Sequence, residues 1–371
     1  MRIGIMLRAF DEKGGIGVYT RNISRQLLNA GPEHKYFLYM TNDRHRDDFA
    51  THKNVTVRTV NAPGKALWDQ VAMPYWFRRD RLDVIFHPKF TVPLLCSGRG
   101  VMVLHGAGWF IPETQHFWSR TTRIYTRIMM PIYCRLAGAV VSVSNITRDV
   151  FIERLGVTAE KIKTIYFGPG PQFKTRYDAE RVASIREKYG LPSRFILTIS
   201  GGDRDDRKNF GTILEAFRRV HERQRCKLVV AGRDCERFRE RYRIPDDGYG
   251  KDIHFPGWVD QMDLPALYQV ATVFLYPSNM EAHPIPITEA LASGTPIVTS
   301  NVFGLKELSG DAAVLVDPSK PEDIAEAVLG LFNDEERRRE LASKAAERSK
   351  MFDWGRCARE TLDILERVGR R

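Results

Sequence analysis

The sequence predicts an α/β protein of two consecutive domains, each a parallel sheet wound with helices. Short apolar runs alternate with helical patterns along the whole chain, and they fall into two successive sets. Gly168-Pro169-Gly170-Pro171 separates the sets and can continue neither a helix nor a strand. Strands that alternate with helices build βαβ units and hence parallel sheets. A chain of 371 residues is also too long for one typical core.

In the first set, Ile3–Leu7, Tyr36–Met40, Val55–Val60, Val84–His87, Val101–His105 and Ala139–Val143 read as strands. Gly14-Gly15-Ile16-Gly17 follows the first of them and precedes the helical pattern Tyr19–Leu28. Gly15 and Gly17 would let backbone approach a ligand closely, with N–H groups free to meet phosphate. A plain turn explains the same residues, and Thr20 stands where a dinucleotide fingerprint needs its third glycine. His105 ends the fifth strand beside Gly106. A strand-end histidine is commonly structural, but a carboxyl end is where ligands of such sheets bind. Phe117–Leu136 reads as a helix interrupted by Pro131, with Arg120, Arg123 and Arg127 on one face and Phe117, Ile124, Ile128 and Met129 away from it. That pattern fits a basic amphipathic helix on an anionic membrane, or a core-packing helix with a solvated arginine face.

In the second set the strands are Phe195–Ile199, Lys227–Ala231, Ile253–Phe255, Val273–Tyr276, Ile297–Thr299 and Ala313–Val316. The run from Gly201 and Gly202 to Arg207-Lys208-Asn209 lies at the carboxyl end of the first. Arg207 and Lys208 could clamp a diphosphate there, one as a planar fork and one as a point charge. Asp203, Asp205 and Asp206 could equally neutralise them in a solvated turn. After Tyr276 come Pro277-Ser278 and a turn, then Glu281 on the loop. Pro286 suits the first helical position, Glu289 falls in the first turn, and Gly294 and Pro296 stop the helix. A helix start flanked by two carboxylates combines an anion site with acceptors for sugar hydroxyls, which suggests a phosphorylated sugar or nucleotide. The expected site is a cleft between the two domains, outside the carboxyl ends of the strands.

Bulk properties narrow the classes. Hydrophobic residues make up 43% and charged residues 28%, as in soluble globular proteins. No segment approaches the roughly 18 apolar residues of a membrane span. The N-terminal apolar stretch is too short for a signal peptide and is broken by Arg8. Five scattered cysteines without a Cys-x-x-Cys pair predict neither structural zinc nor a disulfide framework, and a cytoplasmic location. The net charge of +11 is uneven: residues 1–190 carry 29 Lys/Arg against 16 Asp/Glu, and the remainder 28 against 30. The first half therefore faces something anionic: a phospholipid surface, a lipid-linked diphosphate or an acidic glycan. No nucleic-acid recognition motif accompanies the charge.

In this order the pieces resemble glycosyltransferase family 4, retaining enzymes of the two-domain GT-B fold. The most specific likeness is the Glu-x7-Glu element, Glu281 and Glu289, continued through Pro286, Ala290–Pro296 and Ser300-Asn301-Val302. The Gly-Gly-x-Gly loop, His105, Val143–Asp149, Gly202-x4-Arg207-Lys208-Asn209, Gly310–Ala313, Val316-Asp317-Pro318 and Phe352-Asp353-Trp354 are similar too. The resemblance implies an acceptor-binding domain over 1–170, a nucleotide-sugar domain over 171–350, and a final helix over 351–371 returning to the first. It implies that Arg207 and Lys208 bind the donor diphosphate and stabilise the leaving group. Glu281 would sit beside the transferred sugar, Glu289 would accept the ribose hydroxyls, and His105 would contact the sugar near the reacting carbon. Trp258 and Val259 would line the nucleobase pocket. Gly15, Gly17, Gly202, His283, Ile285, Pro286 and Ile287 complete the implied donor site.

Cleavage of the anomeric bond puts charge on the diphosphate, and fixed cations with a helix start would stabilise it. They would take the place of a divalent ion, so neither metal nor cofactor is expected. Glu289 is assigned to ribose, so same-face attack assisted by the departing phosphate is expected rather than a covalent intermediate. Two departures bear on specificity. Ala282-His283-Pro284 replaces the family's common Gly-Phe-Gly, and Pro284 supplies no N–H. Asp203 stands where many members have arginine, and Arg-Lys-Asn at 207–209 is similar to bacterial mannosyl and related transferases of surface polysaccharide assembly. The donor is thus expected to be GDP-mannose or a UDP-hexose, and the acceptor a glycan or anionic lipid-linked sugar at the inner face of the cytoplasmic membrane. A catalytically silent, membrane-docked nucleotide-sugar-binding subunit and a sugar-nucleotide epimerase are the alternatives.

Overall fold

The computed structural model describes residues 1–200 and 206–371, which form two compact units: residues 1–167 with 353–371, and residues 168–352. Each is built on a parallel sheet, so the chain has the two Rossmann-like sheets of the GT-B class.

The first sheet has seven strands: β1 (Arg2–Met6), β2 (Lys35–Met40), β3 (Val55–Thr59), β4 (Val84–His87), β5 (Gly100–Leu104), β6 (Ala139–Ser142) and β7 (Ile162–Thr164). Their order is β3-β2-β1-β4-β5-β6-β7. Ile3 pairs with Tyr36 on one side and Val84 on the other. β4, β5 and β6 are buried throughout. This is why they read as unbroken apolar runs: helices cover both faces of a parallel sheet. β7 was not among the predicted strands. It is a three-residue edge strand with Lys163 exposed, too short and too polar to stand out.

The second sheet has six strands: β8 (Phe195–Ile199), β9 (Lys227–Ala231), β10 (Ile253–Gly257), β11 (Val273–Tyr276), β12 (Ile297–Ser300) and β13 (Ala313–Val316). Their order is β10-β9-β8-β11-β12-β13. Phe210, Ile213 and Phe217 of the helix Phe210–Arg223 and Ile324 and Val328 of the helix Pro321–Asn333 join Leu228, Val230 and Val298 in its core. In each sheet the winding direction reverses once, between β1 and β4 and between β8 and β11. Strand ends diverge at such a point and leave room for a ligand at the carboxyl edge.

The last helix, Trp354–Gly369, belongs to the first unit and packs on the helix Gly15–Ala30. Trp354 stacks on Phe167 with ring centroids 4.9 Å apart, and Glu360 pairs with Lys163 at 3.0 Å.

One predicted helix changes. Residues 112–117 form a tight 3₁₀ segment, and the helix runs from Arg120 to Leu136, capped by Ser119, whose hydroxyl accepts from the Thr122 N–H. Pro131 lies inside it without interrupting it. Pro131 is exposed, so water can satisfy the carbonyl that its ring leaves unbonded. The buried face carries Thr126, Met130, Tyr133 and Cys134. Ile124 and Ile128, expected away from the solvated arginines, are exposed beside Arg120 and Arg127 instead.

Candidate active site

The winding switch of the second sheet brings two loops together. One leaves β8 and, beyond residues 201–205, forms the turn Asp206–Lys208 before the helix Phe210–Arg223. The other leaves β11 through Pro277 and Ser278 to Glu281. Asn209 holds the junction in the left-handed conformation (φ 60°) that asparagine tolerates. Its side-chain amide donates to the Pro277 carbonyl at 3.0 Å and to Pro318 at 2.7 Å. The Arg207 carbonyl accepts from the Asn279 N–H at 2.8 Å and from Ser278 Oγ at 2.7 Å. These bonds fix the two loops as one piece.

On that piece Lys208 Nζ donates to Glu281 Oε1 and to the Tyr276 hydroxyl. The ammonium also lies 4.8 Å from the centroid of the Tyr276 ring. Tyr276 and Ser278 hydroxyls both approach Glu281 Oε1 at 3.4 Å. Burial alone would push the Lys208 pKa down; the Glu281 carboxylate and Tyr276 outweigh it and raise the pKa above its ordinary value. The lysine is therefore a fixed cation at any physiological pH, as a stabiliser of departing phosphate must be.

Glu281 leads into the helix Ile285–Ser293. Helicity begins one residue earlier than expected, so Pro286 is the second helical residue and Pro284 the cap. Pro286 has no N–H, and the Ile287 N–H bonds the Pro284 carbonyl at 3.1 Å. The first turn thus offers an anion fewer donors than the pattern suggested. Ile285 and Pro286 are half-buried, while Ile287 and Glu289 are buried. Glu289 Oε2 accepts from the Tyr268 hydroxyl at 3.0 Å. Burial raises the Glu289 carboxyl to about 7, with the Tyr268 bond pulling the other way. Further hydrogen-bond donors brought to this carboxyl would favour its ionised form.

His283 is buried, its ring edge-on to Phe352 at 6.0 Å. Trp258 follows β10 and is 57% exposed beneath the Arg233 guanidinium, 5.2 Å from the ring centroid. Val259 beside it is buried. Arg207 is half-exposed. Gly202, Asp203 and Asp205 lie outside the described residues. Asp203 and Asp205 stand two apart in the sequence, the spacing of an Asp-x-Asp metal pair.

His105, Gly15 and Gly17 belong to the first unit. His105 directly follows β5, and its Nε2 lies 2.9 Å from the Pro88 carbonyl. A carbonyl only accepts, so Nε2 carries the proton and Nδ1 is left as an acceptor. Tyr19 and Phe90 meet the ring edge-on, and burial lowers its pKa to about 4. Gly15 starts its helix on the surface. At Gly17 a Cβ would lie 1.7 Å from the Glu12 carbonyl oxygen, so glycine is required there by backbone packing. Arg120 and Arg127 are exposed and Arg123 between them is half-buried, on one face of the helix Arg120–Leu136.

Sequence reasoning gave no role to Tyr276, Ser278, Asn209 or Tyr268. Tyr276 had the same signal as His105, a polar side chain at the carboxyl end of a strand.

Residues 182–348 match the Glycosyl transferases group 1 family, and residues 13–169 match Glycosyltransferase Family 4. The chain belongs to the family 4 glycosyltransferases. Among relatives of this glycosyltransferase, O-antigen chain mannosyltransferase B of Escherichia coli is 28% identical over 296 residues, 78% of this chain and 76% of that protein. The serotype-specific mannosyltransferase WbdA of Escherichia coli is 28% identical over 238 residues, 62% of this chain but only 29% of the relative's length. The fold is also that of Anabaena Alr3699/HepE in complex with UDP-glucose, with a TM-score of 0.78 at 18% identity over 99% of this chain and 100% of the other. The glycosyltransferase has no described helix long and apolar enough to cross a membrane. Its five cysteines are all buried and unpaired.

Proposed function

We propose that this glycosyltransferase moves a hexose from a nucleoside-diphosphate sugar to a glycan or lipid-linked acceptor in surface polysaccharide synthesis, with retention at the anomeric carbon and without a metal ion. The observation that carries the reading is Lys208 fixed between Glu281 and Tyr276 at the winding switch of the second sheet. A donor diphosphate bound there gives the ammonium an anionic partner whose charge grows as the anomeric bond breaks. Glu281, on the other side of the same ammonium, faces the oxocarbenium-like sugar. Glu289 takes the ribose hydroxyls, Arg207 joins Lys208 on the diphosphate, and Trp258 and Val259 border the base.

Mannose is the favoured sugar and GDP the favoured nucleotide: both Escherichia coli relatives are mannosyltransferases by name, and Arg-Lys-Asn at 207–209 points the same way. For His105, Gly15, Gly17, Gly202, His283, Ile285, Pro286 and Ile287 a donor role rests on the family resemblance. The buried, unpaired cysteines fit a reducing cytoplasm.

The test is transfer from GDP-mannose and UDP-glucose to a panel of glycan and polyprenyl-linked acceptors, with the anomeric configuration of the product read by NMR and the assay repeated in chelator. Retained configuration and undiminished turnover in chelator support the reading. An inverted product overturns the retaining step. Loss of turnover in chelator, restored by magnesium, overturns metal independence and directs attention to Asp203 and Asp205.

A further inference from the structure

The first sheet has a winding switch of its own, between β1 and β4, and the loop leaving β4 there reaches a different partner with each successive residue. The Pro88 carbonyl accepts from His105 Nε2 at 2.9 Å. Lys89 Nζ pairs with the carboxylate of Glu12, on the loop that leaves β1. The Phe90 ring meets His105 edge-on at 5.6 Å and Trp109, beyond β5, at 5.0 Å. Thr91 Oγ1 donates to Asp69 at 3.0 Å, and Asp69 holds Arg8 through two bonds of 2.9 Å and 2.8 Å. Residues 88–91 thus tie the loops after β1, β4 and β5 into one floor at the carboxyl edge, where ligands of such sheets bind.

The floor has the two components of a sugar site. Phe90 and Trp109 are half-buried, and Trp118 continues them at 5.7 Å from Trp109. Such rings offer an apolar surface to the C–H face of a sugar, beside a few fixed polar groups for its hydroxyls. Arg8 Nη1 and Trp109 Nε1 are buried donors with no hydrogen-bond partner among the described residues, an arrangement that calls for an incoming oxygen.

Charge selects among acceptors. Arg8 and Lys89 are already paired, with Asp69 and Glu12, and Lys65, a further cation close to Lys89, is exposed to water. A phosphate brought to this floor would meet a carboxylate beside each of the two paired cations. A neutral sugar is not opposed in this way: a carboxylate accepts from one hydroxyl while the neighbouring ammonium donates to the next.

We infer that the carboxyl edge of the first sheet at the β1–β4 switch is the acceptor subsite, and that it takes the terminal hexose of a neutral glycan, stacked on Phe90 and Trp109 with its hydroxyls on Glu12 and Lys89, rather than the phosphate of a lipid carrier. The inference rests on the hexosyl-transfer reading above: His105, which that reading sets beside the transferred sugar, borders the same floor.

The experiment is titration of the full chain with neutral trisaccharides of mannose, glucose and galactose, followed by saturation-transfer NMR, alongside transfer kinetics. Wild type is compared with Glu12→Ala and Trp109→Leu, with thermal unfolding as the folding control. Glu12 is a half-exposed loop residue, so its variant tests the site even where Trp109→Leu fails to fold. Wild type is expected to bind at least one trisaccharide, through its aromatic protons. Each variant should bind it ~10-fold or more weakly and raise the acceptor KM by a similar factor, while nucleotide affinity, which belongs to the second unit, is unchanged. No binding by wild type, or equal binding by Glu12→Ala and folded Trp109→Leu, overturns the inference. Displacement of the trisaccharide by farnesyl diphosphate overturns the choice of a neutral ligand. Sugar binding that the variants lose, in a protein that turns over no donor, would keep this subsite and sink the transfer reading; transfer with an unaltered acceptor KM in both variants would do the reverse.

Discussion

Lys208 and Glu281, 73 residues apart in the chain, form an ion pair with only 17% and 14% of their side chains exposed. The pair joins the ends of two neighbouring strands and holds a positive charge beside a negative one where a sugar diphosphate would divide into the same two charges. Removing either member leaves the other charge half-buried and unpaired, which distinguishes the two substitutions.

Lys208→Ala should lose both functions of the ammonium. Nucleoside-diphosphate affinity should fall, and turnover should drop by about 10²-fold or more, the usual loss when one preorganised transition-state partner is removed. Calorimetry and steady-state kinetics on the folded variant check this; near-normal turnover contradicts it.

Glu281→Gln should separate them. The Lys208 ammonium is released from its carboxylate, so nucleotide affinity should hold or rise while turnover falls. A parallel loss of binding and turnover would show that Glu281 serves only to place Lys208.

Glu289 supplies a pH signature. Its carboxyl is raised to about 7, and the ionised form is the better acceptor for two ribose hydroxyls. Nucleotide affinity should therefore increase as pH rises through about 7, and this dependence should vanish in Glu289→Gln, which binds more weakly at pH 8. Affinity titrated from pH 5.5 to pH 8.5 with both proteins checks it. A flat wild-type profile removes Glu289 from the ribose role.

The same group predicts a stability difference with a definite sign. Because its folded pKa lies above the ordinary 4.5, its contribution is fully present below pH 4.5 and is lost as pH rises through about 7. Glu289→Gln should thus gain on wild type by roughly 3 kcal/mol between those limits, seen as a widening gap in denaturant midpoint. A gap that stays constant with pH contradicts the burial argument.

Gly17→Ala tests whether the glycine loop is structural. A Cβ 1.7 Å from the Glu12 carbonyl forces the loop away from the helix and should cost about 1–3 kcal/mol. Urea unfolding measures it; an unchanged midpoint would free Gly17 from its packing role.

The sheets were legible because their central strands are buried on both faces and so leave unbroken apolar runs, β5 and β8 being the clearest. β7 was hidden because an edge strand of three residues with an exposed lysine has no such run. Ile124 and Ile128 misled because periodicity gives the spacing of an apolar stripe but not whether anything covers it. Lys208 and Glu281 could each be singled out from its strand-end position, but their pairing follows from β8 and β11 being neighbours, a fact of strand order that no local pattern carries. The proton on His105 Nε2 likewise depends on a carbonyl 17 residues away.

The most direct test of the account is calorimetric titration of wild type and Lys208→Ala with GDP, UDP and ADP, without metal and then with magnesium. The account predicts selective binding of one nucleotide by wild type, unaffected by magnesium and lost or strongly weakened in the variant. Equal binding by both proteins, or none by wild type, would contradict a donor diphosphate site at Lys208.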